Sequence, residues 1–427
     1  MHMPEQIHKT DEVFGISREV PLNYVSRPAV DDRFIESLTR DRHLVVYGSS
    51  KQGKTCLRKK CLKDDEYITV HCLNRWSLAE LHSAILKRTG YEITQSTRKA
   101  ASGKSKIDAR FSASVMGAGV GLEGGKGTDT LHEITTTELE LDVDDVNDVI
   151  AALERIKFSK YIVLEDFHYL PLETQKDFSV ALKAFHENSD VCFIIVGVWL
   201  EENRLTVYNG DLTGRVAAVN ADLWKPEELR DVVRQGEALL NISFDLDFVS
   251  QLVAKSEGSV HIVQESCYKI CDGAGIYRTS DNHRELAAGV DVMALVKDVV
   301  DQQKGRYNSF LVQFADGFQE TSLQMYKWIL YPVITSSPED LEKGLRLQQI
   351  RKSLAGRHPD GNGLNTGNIT QALQYSAGLQ VKKDIKPIVL DYDQTNLRLN
   401  VVDRGFLIWI RHQDRKGLLE LIGLPSE

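Results

Sequence analysis

The residues of this chain that can do chemistry begin with an eight-residue phosphate-binding loop (P-loop). Residues 48–55 read Gly-Ser-Ser-Lys-Gln-Gly-Lys-Thr, which is the complete pattern G-x-x-x-x-G-K-T. The two glycines let backbone N–H groups curl around phosphate oxygens, the Lys54 ammonium reaches the β- and γ-phosphates, and the Thr55 hydroxyl is a ligand for Mg²⁺. The residues predicted to bind the phosphates are Gly48, Ser49, Ser50, Lys51, Gln52, Gly53, Lys54, Thr55 and Cys56.

A second chemical element is the acidic pair Glu165 and Asp166, which follows the apolar residues 161–164. Four apolar residues in a row predict a buried parallel strand, and the carboxyl end of such a strand faces the crevice where α/β sheets bind ligands. One carboxylate would hold Mg²⁺, and the other would orient and deprotonate an attacking water. By position we assign Glu165 to the metal and Asp166 to the base. The alternative is a solvated strand end without a catalytic role.

The elements around these residues alternate between strands and helices. The P-loop lies between an apolar strand at residues 43–47 and a helix predicted from Lys54 to Lys63. Further strands are predicted at 67–71 and 191–196, and helices at 78–88, 145–156 and 174–187. This order indicates an α/β fold with a parallel sheet between helices. Beyond Lys225 the pattern predicts helices only, at 226–240, 246–256 and 260–272, which we interpret as a separate helical subdomain.

Residues 95–140 interrupt this order. Residues 107–115 alternate between apolar and polar side chains, a glycine-rich stretch covers 117–127, and Thr and Glu dominate up to Leu141. We predict a β-hairpin insertion with a mobile tip that contacts a partner, a neighbouring subunit or nucleic acid. Gly119, Gly121 and Gly124 match G-x-G-x-x-G, but no helix follows and no βαβ unit frames the motif. We therefore do not interpret it as a dinucleotide fingerprint.

The C-terminal hundred residues have a different pattern. Helices are predicted at 323–334, 345–354 and 369–377, followed by two strands at 387–392 and 397–402 that form a hairpin. Three helices and a two-stranded wing describe a winged-helix domain, which can place its third helix in the DNA major groove. DNA contact and protein contact both remain open, because acidic residues are interspersed with the basic ones. The residues suited to DNA are Arg351, Lys352, Arg357, Asn368, Gln371, Lys382, Lys383 and Arg398.

Composition limits the classes of protein to which the chain can belong. Its 427 residues suffice for several domains, and a formal charge of −9 argues against an overall cationic coat for nucleic acid. The six cysteines show no paired C-x-x-C spacing and are typical of reduced core thiols. Cys267 and Cys271, with His261 nearby in sequence, permit a metal site, although core packing is favoured. Without a long apolar run or a signal-peptide pattern, we expect a soluble cytoplasmic protein that does not contact membranes.

The chain resembles the AAA+ and STAND ATPases, and is nearest the branch of the origin-recognition-type initiators. Besides the P-loop and the acidic pair, the segment with Tyr24 and Val25 is similar to the one that lines the adenine pocket in that branch. Residues 209–216 resemble the region with the arginine finger, which makes Arg215 the candidate. The resemblance implies ATP as the nucleotide, Mg²⁺-dependent hydrolysis, and an arginine that neutralises charge in a neighbour's active site. The alternative for Arg215 is a salt-bridged surface arginine.

The chain departs from this family in two places. Residues 197–199, Gly-Val-Trp, stand where members of the family place a polar sensor of the γ-phosphate. In the helical lid, residues 258–261 end with His261, where the family has a Gly-x-Pro turn or a sensor arginine. His261 would contact phosphate or cap a helix, and we favour the cap.

The resemblance implies four parts and two alternative functions. The parts are an N-terminal extension (1–20), an ATPase domain (21–224), a helical lid (225–318) and a winged-helix domain (319–427). The first function is an ATPase that assembles into homo-oligomers and couples its nucleotide state to double-stranded DNA or a partner protein. The alternative is a slow STAND-like switch in bacterial anti-phage defence that acts through a separate effector protein. A nucleotide-binding scaffold with negligible turnover is the third possibility.

Overall fold

The computed structural model describes residues 6–15, 19–95, 106–115, 133–222, 224–361 and 364–426. Its first part alternates between helices and strands, as the sequence predicts. The elements are α1 (Thr10–Val13), α2 (Pro28–Leu38), β1 (His43–Tyr47), α3 (Lys54–Cys61), β2 (Tyr67–His71), α4 (Leu78–Arg88), β3 (Glu92–Gln95), β4 (Lys106–Val115), β5 (Glu133–Asp142), α5 (Val146–Arg155), β6 (Tyr161–Glu165), α6 (Leu172–Asn188), β7 (Phe193–Val196), α7 (Arg204–Tyr208) and β8 (Val216–Asn220).

The central sheet has five parallel strands in the order β2-β6-β7-β1-β8. Every residue of β1 is buried, as expected for a strand covered by helices on both faces. The P-loop follows β1, and the acidic pair lies at the end of β6, with only β7 between the two strands. Because all these strands are parallel, their carboxyl ends meet at one edge and bring the two motifs together. The predicted α/β fold class is confirmed.

The insertion is an antiparallel three-stranded sheet in the order β3-β4-β5. Strands β4 and β5 pair over ten residues each, which confirms the predicted hairpin. Ile107, Ala109 and Leu141 pack in the same apolar cluster as the helices α4 and α5, and so anchor the hairpin at its base. The glycine-rich tip, with Gly119, Gly121 and Gly124, lies outside the described residues.

The next part of the chain consists of helices and one small sheet. Its elements are α8 (Pro226–Leu240), β9 (Ile242–Phe244), α9 (Leu246–Lys255), α10 (Val260–Gly273), β10 (Arg284–Leu286), α11 (Val292–Asp301) and α12 (Lys304–Ala315). The prediction of helices only was wrong here, because β9 and β10 pair in parallel. Strands of three residues are too short to produce a period in the sequence.

The N-terminal segment packs on this helical part. Val13 and Phe14 are fully buried in its apolar cluster. Gly236 on α8 makes the approach of Phe14 possible, since a Cβ at this position would lie 2.1 Å from the Phe14 Cζ. The Thr10 hydroxyl donates a hydrogen bond to the carbonyl of Ile276 at 2.7 Å. Residues 10–14 therefore belong to the folded core.

The C-terminal part contains helices and a three-stranded antiparallel sheet in the order β11-β13-β12. The predicted hairpin is confirmed as β12 and β13. The third predicted helix, at 369–377, was wrong at its end. The helix α16 stops at Gln374 and α17 begins at Ser376, although apolar residues continue in the sequence across this break. The elements are α13 (Met325–Thr335), α14 (Pro338–Lys343), β11 (Leu345–Arg346), α15 (Leu347–Ala355), α16 (Thr366–Gln374), α17 (Ser376–Lys382), β12 (Leu390–Asp393), β13 (Arg398–Val401), α18 (Arg404–Arg411) and α19 (Arg415–Leu421).

Apolar contacts join this C-terminal part to both preceding parts. Tyr307 and Phe310 of α12 pack against Phe406 of α18, so one apolar cluster continues across residue 318. A smaller cluster contains Val198, which follows β7, and Val402, which follows β13. The C-terminal part is therefore held against the carboxyl edge of the central sheet.

Candidate nucleotide-binding site

A cavity of about 380 Å³ opens at the carboxyl ends of β1 and β6. It extends from the P-loop and the acidic pair to residues of α8 and α10. Most of the residues that the sequence singled out line it, whereas Gly48, Ser49 and Arg215 do not. The residues that line the cavity are Tyr24, Val25, Ser50, Lys51, Gln52, Gly53, Lys54, Thr55, Cys56, Glu165, Asp166 and His261.

The P-loop has the backbone that its two glycines permit. Gly53 has φ 84° and precedes the first residue of α3, so the N–H groups of this helix start at the cavity. The Lys54 Nζ donates to the carbonyls of Gly48 at 3.0 Å and Ser49 at 2.5 Å. Burial lowers the pKa of Lys54 to about 8, although the carboxylates of Asp222, Glu165 and Asp166 oppose this shift. The loop therefore presents a buried lysine and a helix N-terminus, both suited to an anion.

Asp222 is a residue of the P-loop environment that the sequence did not predict. It follows β8 and accepts hydrogen bonds from the Ser49 backbone N–H at 2.7 Å and the Ser49 hydroxyl at 2.6 Å. A Cβ at Gly48 would lie 2.9 Å from its carboxylate, so this approach requires glycine. On its other side the guanidinium of Arg404 lies 3.7 Å away. Recognition of residues 216–220 as a strand would have placed Asp222 at the correct edge of the sheet.

The two members of the acidic pair have different surroundings. Glu165 is buried and accepts a hydrogen bond from the Arg58 Nε at 3.0 Å. Burial raises the pKa of Glu165, and the charge of Arg58 lowers it. Asp166 has a left-handed backbone with φ 60° and lines the cavity, and burial raises its pKa while His71 and Lys54 lower it. Sequence reasoning missed Arg58, which pairs with Glu165, the carboxylate that the sequence assigns to the metal.

At the other end of the cavity, residues before α2 meet residues of the helical part. The Tyr24 hydroxyl donates to Asp31 at 2.6 Å. The amides of Asn23 and Gln264 exchange two hydrogen bonds of 2.9 Å and are buried. Sequence reasoning missed this pair, because no local pattern connects residues 241 positions apart.

A cation–π contact closes the same end of the cavity. The guanidinium of Arg27 lies 3.9 Å from the centre of the Trp224 ring and donates to the carbonyl of Ala221 at 2.8 Å. The Trp224 indole N–H donates to the carbonyl of Gln52 in the P-loop at 3.3 Å. Arg27 is almost completely buried, so it is a wall of the cavity rather than a mobile surface group. Flat side chains and buried amides make this end suitable for a planar heterocycle.

His261 does not cap a helix, so that prediction was wrong. Ser259 caps α10 by accepting a hydrogen bond from the Ile262 N–H at 3.4 Å, because a serine directly before the first turn is the better acceptor. His261 instead lines the cavity, and its Nε2 lies 3.1 Å from the Lys51 Nζ. Burial, followed by the charge of Lys51, lowers the pKa of His261 to about 3.

Arg215 lies at the opposite edge of the sheet from the P-loop of its own chain. Its carbonyl accepts from the His43 N–H at the start of β1, whereas the P-loop follows the end of this strand, roughly 15 Å away. The guanidinium of Arg215 binds Glu187 at 2.7 Å. A contact between Arg215 and the nucleotide site of the same chain is therefore excluded.

His168 is a further cavity residue that the sequence did not single out. It follows Asp166 by two positions, is buried, and accepts a hydrogen bond at Nδ1 from the Val198 N–H at 3.3 Å. Burial lowers its pKa well below the usual range, and the charge of Lys54 lowers it further. At residues 197–199, where the family pattern predicts a polar group, Trp199 is buried over Gly197 instead.

The fold of this chain is similar to the folds of known proteins. It superimposes on a Walker-type ATPase of Pyrococcus abyssi with a TM-score of 0.51 and 12% sequence identity, over 93% of this chain and 99% of that one. The two chains share a fold. The chain is also similar to the Aeropyrum pernix ORC2 protein in ADPNP–ADP complexes, with a TM-score of 0.48, 14% identity, and 96% of each chain covered. No family model matches the sequence, and no curated protein is significantly similar to it.

Two remaining predictions concern metals and membranes. Cys267 and Cys271 pack in the apolar core, and in the described part of the chain no group of three or more His, Cys, Asp or Glu side chains is arranged to hold a metal ion. Within the described ranges, no helix combines the length and apolar character that crossing a membrane requires.

Proposed function

We propose that this protein binds ATP with Mg²⁺, hydrolyses it, and uses the nucleotide state to control how its C-terminal part is held. The observation that carries this proposal is a direct contact between the P-loop and the C-terminal part. The Ser50 N–H of the P-loop donates to the carbonyl of Val402 at 3.0 Å. The phosphate-binding loop therefore also holds the C-terminal part, so a change in the loop's conformation would alter how the C-terminal part is held.

The phosphate end of the cavity supports ATP hydrolysis. Lys54 and the N-terminus of α3 suit the phosphates, and the Thr55 hydroxyl is an oxygen ligand of the kind that Mg²⁺ prefers. The ion would neutralise charge on the phosphates. Asp166 would orient the attacking water and accept its proton. Glu165 can contribute to the metal site only after it leaves Arg58.

The base end supports adenine over a smaller ligand. Tyr24, Val25, Arg27 and Trp224 line the cavity between the P-loop and the helical part, and the Arg27 guanidinium lies over the Trp224 ring. At this end of the cavity, the hydrogen-bonded pair of Asn23 and Gln264 joins α10 to the ATPase part. We infer that the bound base stabilises the position of the helical part.

The contacts of the C-terminal part favour a switch. Asp222 binds Ser49 on one side and Arg404 on the other, so it links the P-loop to α18. A second contact with the C-terminal part is the buried ion pair between Arg204 of α7 and Asp391 of β12. Phosphate that reshapes the P-loop would alter the first link, and the C-terminal part would then be released towards a partner. In the STAND version of this proposal, the partner is a separate effector protein in anti-phage defence.

A second candidate function is the coupling of ATP to double-stranded DNA by a homo-oligomer. Its support is the set of exposed residues Arg351, Lys352 and Gln371 on α15 and α16, the second and third helices of the proposed winged-helix domain. The hairpin turn of this domain is bound elsewhere, since the Thr395 hydroxyl donates to Glu201 at 2.6 Å. In the conformation described here, the wing would have to leave Glu201 before it could contact DNA.

Steady-state ATP hydrolysis with and without duplex DNA tests these proposals. Lys54→Ala gives the blank, and Lys63→Ala, an exposed lysine just after the same helix, is the matched control. A slow rate that exceeds the blank and does not change when DNA is added favours the switch. A rate that DNA stimulates favours the oligomeric DNA-coupled ATPase. A rate equal to that of Lys54→Ala under both conditions contradicts hydrolysis.

A further inference from the structure

His168 has one ring nitrogen engaged and one without a partner. Its Nδ1 accepts the N–H of Val198, and an imidazole nitrogen that accepts carries no proton. The ring is therefore neutral with its proton on Nε2, and this tautomer is fixed by the backbone that follows β7. His168 thus offers one N–H donor whose direction is set by the fold.

The Nε2 atom of His168 is buried and has no hydrogen-bond partner among the described residues. Only 4% of the residue is exposed, so bulk water does not compensate for the missing acceptor. His168 lines the same cavity as Lys54 and Asp166. An acceptor that enters the phosphate end of this cavity would satisfy the donor.

We propose that the His168 Nε2–H donates a hydrogen bond to the terminal phosphate of a bound nucleoside triphosphate, and thereby distinguishes the triphosphate from the diphosphate. This inference rests on the proposed ATP binding. His168, in the turn after β6, would then contact the terminal phosphate in place of the polar side chain that is expected after β7. Residues 197–199 after β7 read Gly-Val-Trp. A polar side chain does not fit at position 197, because a Cβ there would lie 1.6 Å from the Trp199 ring.

Through its two ring nitrogens, His168 would connect the terminal phosphate to the C-terminal part. Val198, whose N–H binds His168, packs in an apolar cluster with Val381, Ile388 and Val402. Val402 in turn accepts the N–H of Ser50. His168 therefore connects the site of the third phosphate to the apolar cluster through which the C-terminal part packs on the central sheet.

The test measures the affinities of the full chain for fluorescent ADP and for a fluorescent non-hydrolysable ATP analogue, both with Mg²⁺. His168→Asn keeps an acceptor for the Val198 N–H and removes the distal donor, whereas His168→Gln reaches further and restores a donor. His82→Asn is the matched control, since His82 is also buried but packs against Phe178 and Phe185 away from the cavity.

We expect His168→Asn to lose about 10- to 100-fold in affinity for the ATP analogue and to keep its affinity for ADP, because a hydrogen bond to a charged group is lost. His168→Gln and His82→Asn should keep the wild-type ratio. An unchanged ratio in His168→Asn, or equal losses for both nucleotides, overturns the inference while leaving ATP binding intact. Wild-type protein that binds neither nucleotide would overturn the proposed function itself. Should His168→Asn fail to fold, His168→Ser repeats the measurement, because its hydroxyl is also an acceptor but does not extend to the position of the distal donor.

Discussion

Ser50 and Val402, 352 positions apart in sequence, are joined by a backbone hydrogen bond of 3.0 Å between the P-loop and the C-terminal part. Close to it, Asp222 binds Ser49 with both carboxylate oxygens and lies 3.7 Å from Arg404. The phosphate-binding loop is consequently in contact with the segment whose release the proposed switch requires.

Arg404→Ala should weaken this connection. It removes the cation that faces Asp222 and Glu342, so we expect release of fluorescent ADP to accelerate about 3- to 10-fold, the equivalent of ~1 kcal/mol. Stopped-flow displacement by unlabelled ADP measures the rate. Arg415→Ala is the control, because Arg415 donates to the carbonyl of Thr335, away from the P-loop. Equal release rates in the two variants would contradict the coupling.

Arg58→Met should destabilise the protein by about 3–5 kcal/mol, because it leaves the buried carboxylate of Glu165 without its partner. The double variant Arg58→Met with Glu165→Gln should recover most of this loss, since neither member of the buried pair then carries a charge. Urea unfolding of the wild type, both single variants and the double variant gives the four free energies. Strictly additive single effects would show that the two side chains do not interact.

Asp166→Ala should retain ATP and lose turnover. The proposed base is removed, while Lys54 and the P-loop backbone are left in place, so we expect a fall in kcat of at least about 100-fold with little change in nucleotide affinity. Phosphate release and fluorescent-nucleotide titration measure the two quantities. Asp177→Ala, an exposed aspartate on α6, serves as the control. Undiminished turnover in Asp166→Ala would remove Asp166 from the role of base.

Arg215→Ala tests the proposed contact between neighbouring chains. Since Arg215 lies at the sheet edge opposite its own P-loop, we expect it to act only in trans. The variant should bind ATP but not hydrolyse it, and mixing with Asp166→Ala protein should restore part of the activity. Glu187→Ala removes the same ion pair without removing the guanidinium. If Glu187→Ala and Arg215→Ala lose activity equally, and mixing restores none, Arg215 has a structural role.

His43 should make the fold sensitive to acid. Burial lowers its pKa to about 4, while the hydrogen bond to the Leu182 carbonyl opposes this shift. Between pH 6.5 and 4 the unfolded chain binds this proton and the folded chain does not, so stability falls as pH falls, by up to about 1.4 kcal/mol per unit. Urea unfolding across this range should show a smaller slope for His43→Gln than for wild type. Identical slopes would exclude His43 as the source.

The P-loop, the acidic pair and the order of the α/β elements were predictable because they are encoded locally. The glycine spacing at residues 48–55 specifies a turn, and the apolar run before Glu165 specifies a buried strand whose end faces the ligand crevice. The hairpins of the insertion and of the C-terminal part were also predictable from alternation and turn residues. In each case neighbours in sequence determine the geometry.

Partners that are distant in sequence were decided only by the tertiary structure. Arg58 binds Glu165, Asp222 binds Ser49, and Asn23 binds Gln264, each across more than 100 positions. The role of His261 as a cavity residue rather than a cap depends on the packing of α10 against the P-loop. A side chain's nearest residues in sequence specify its helix or strand, whereas the groups that set its charge, pKa and orientation come from whichever segments the fold packs around it.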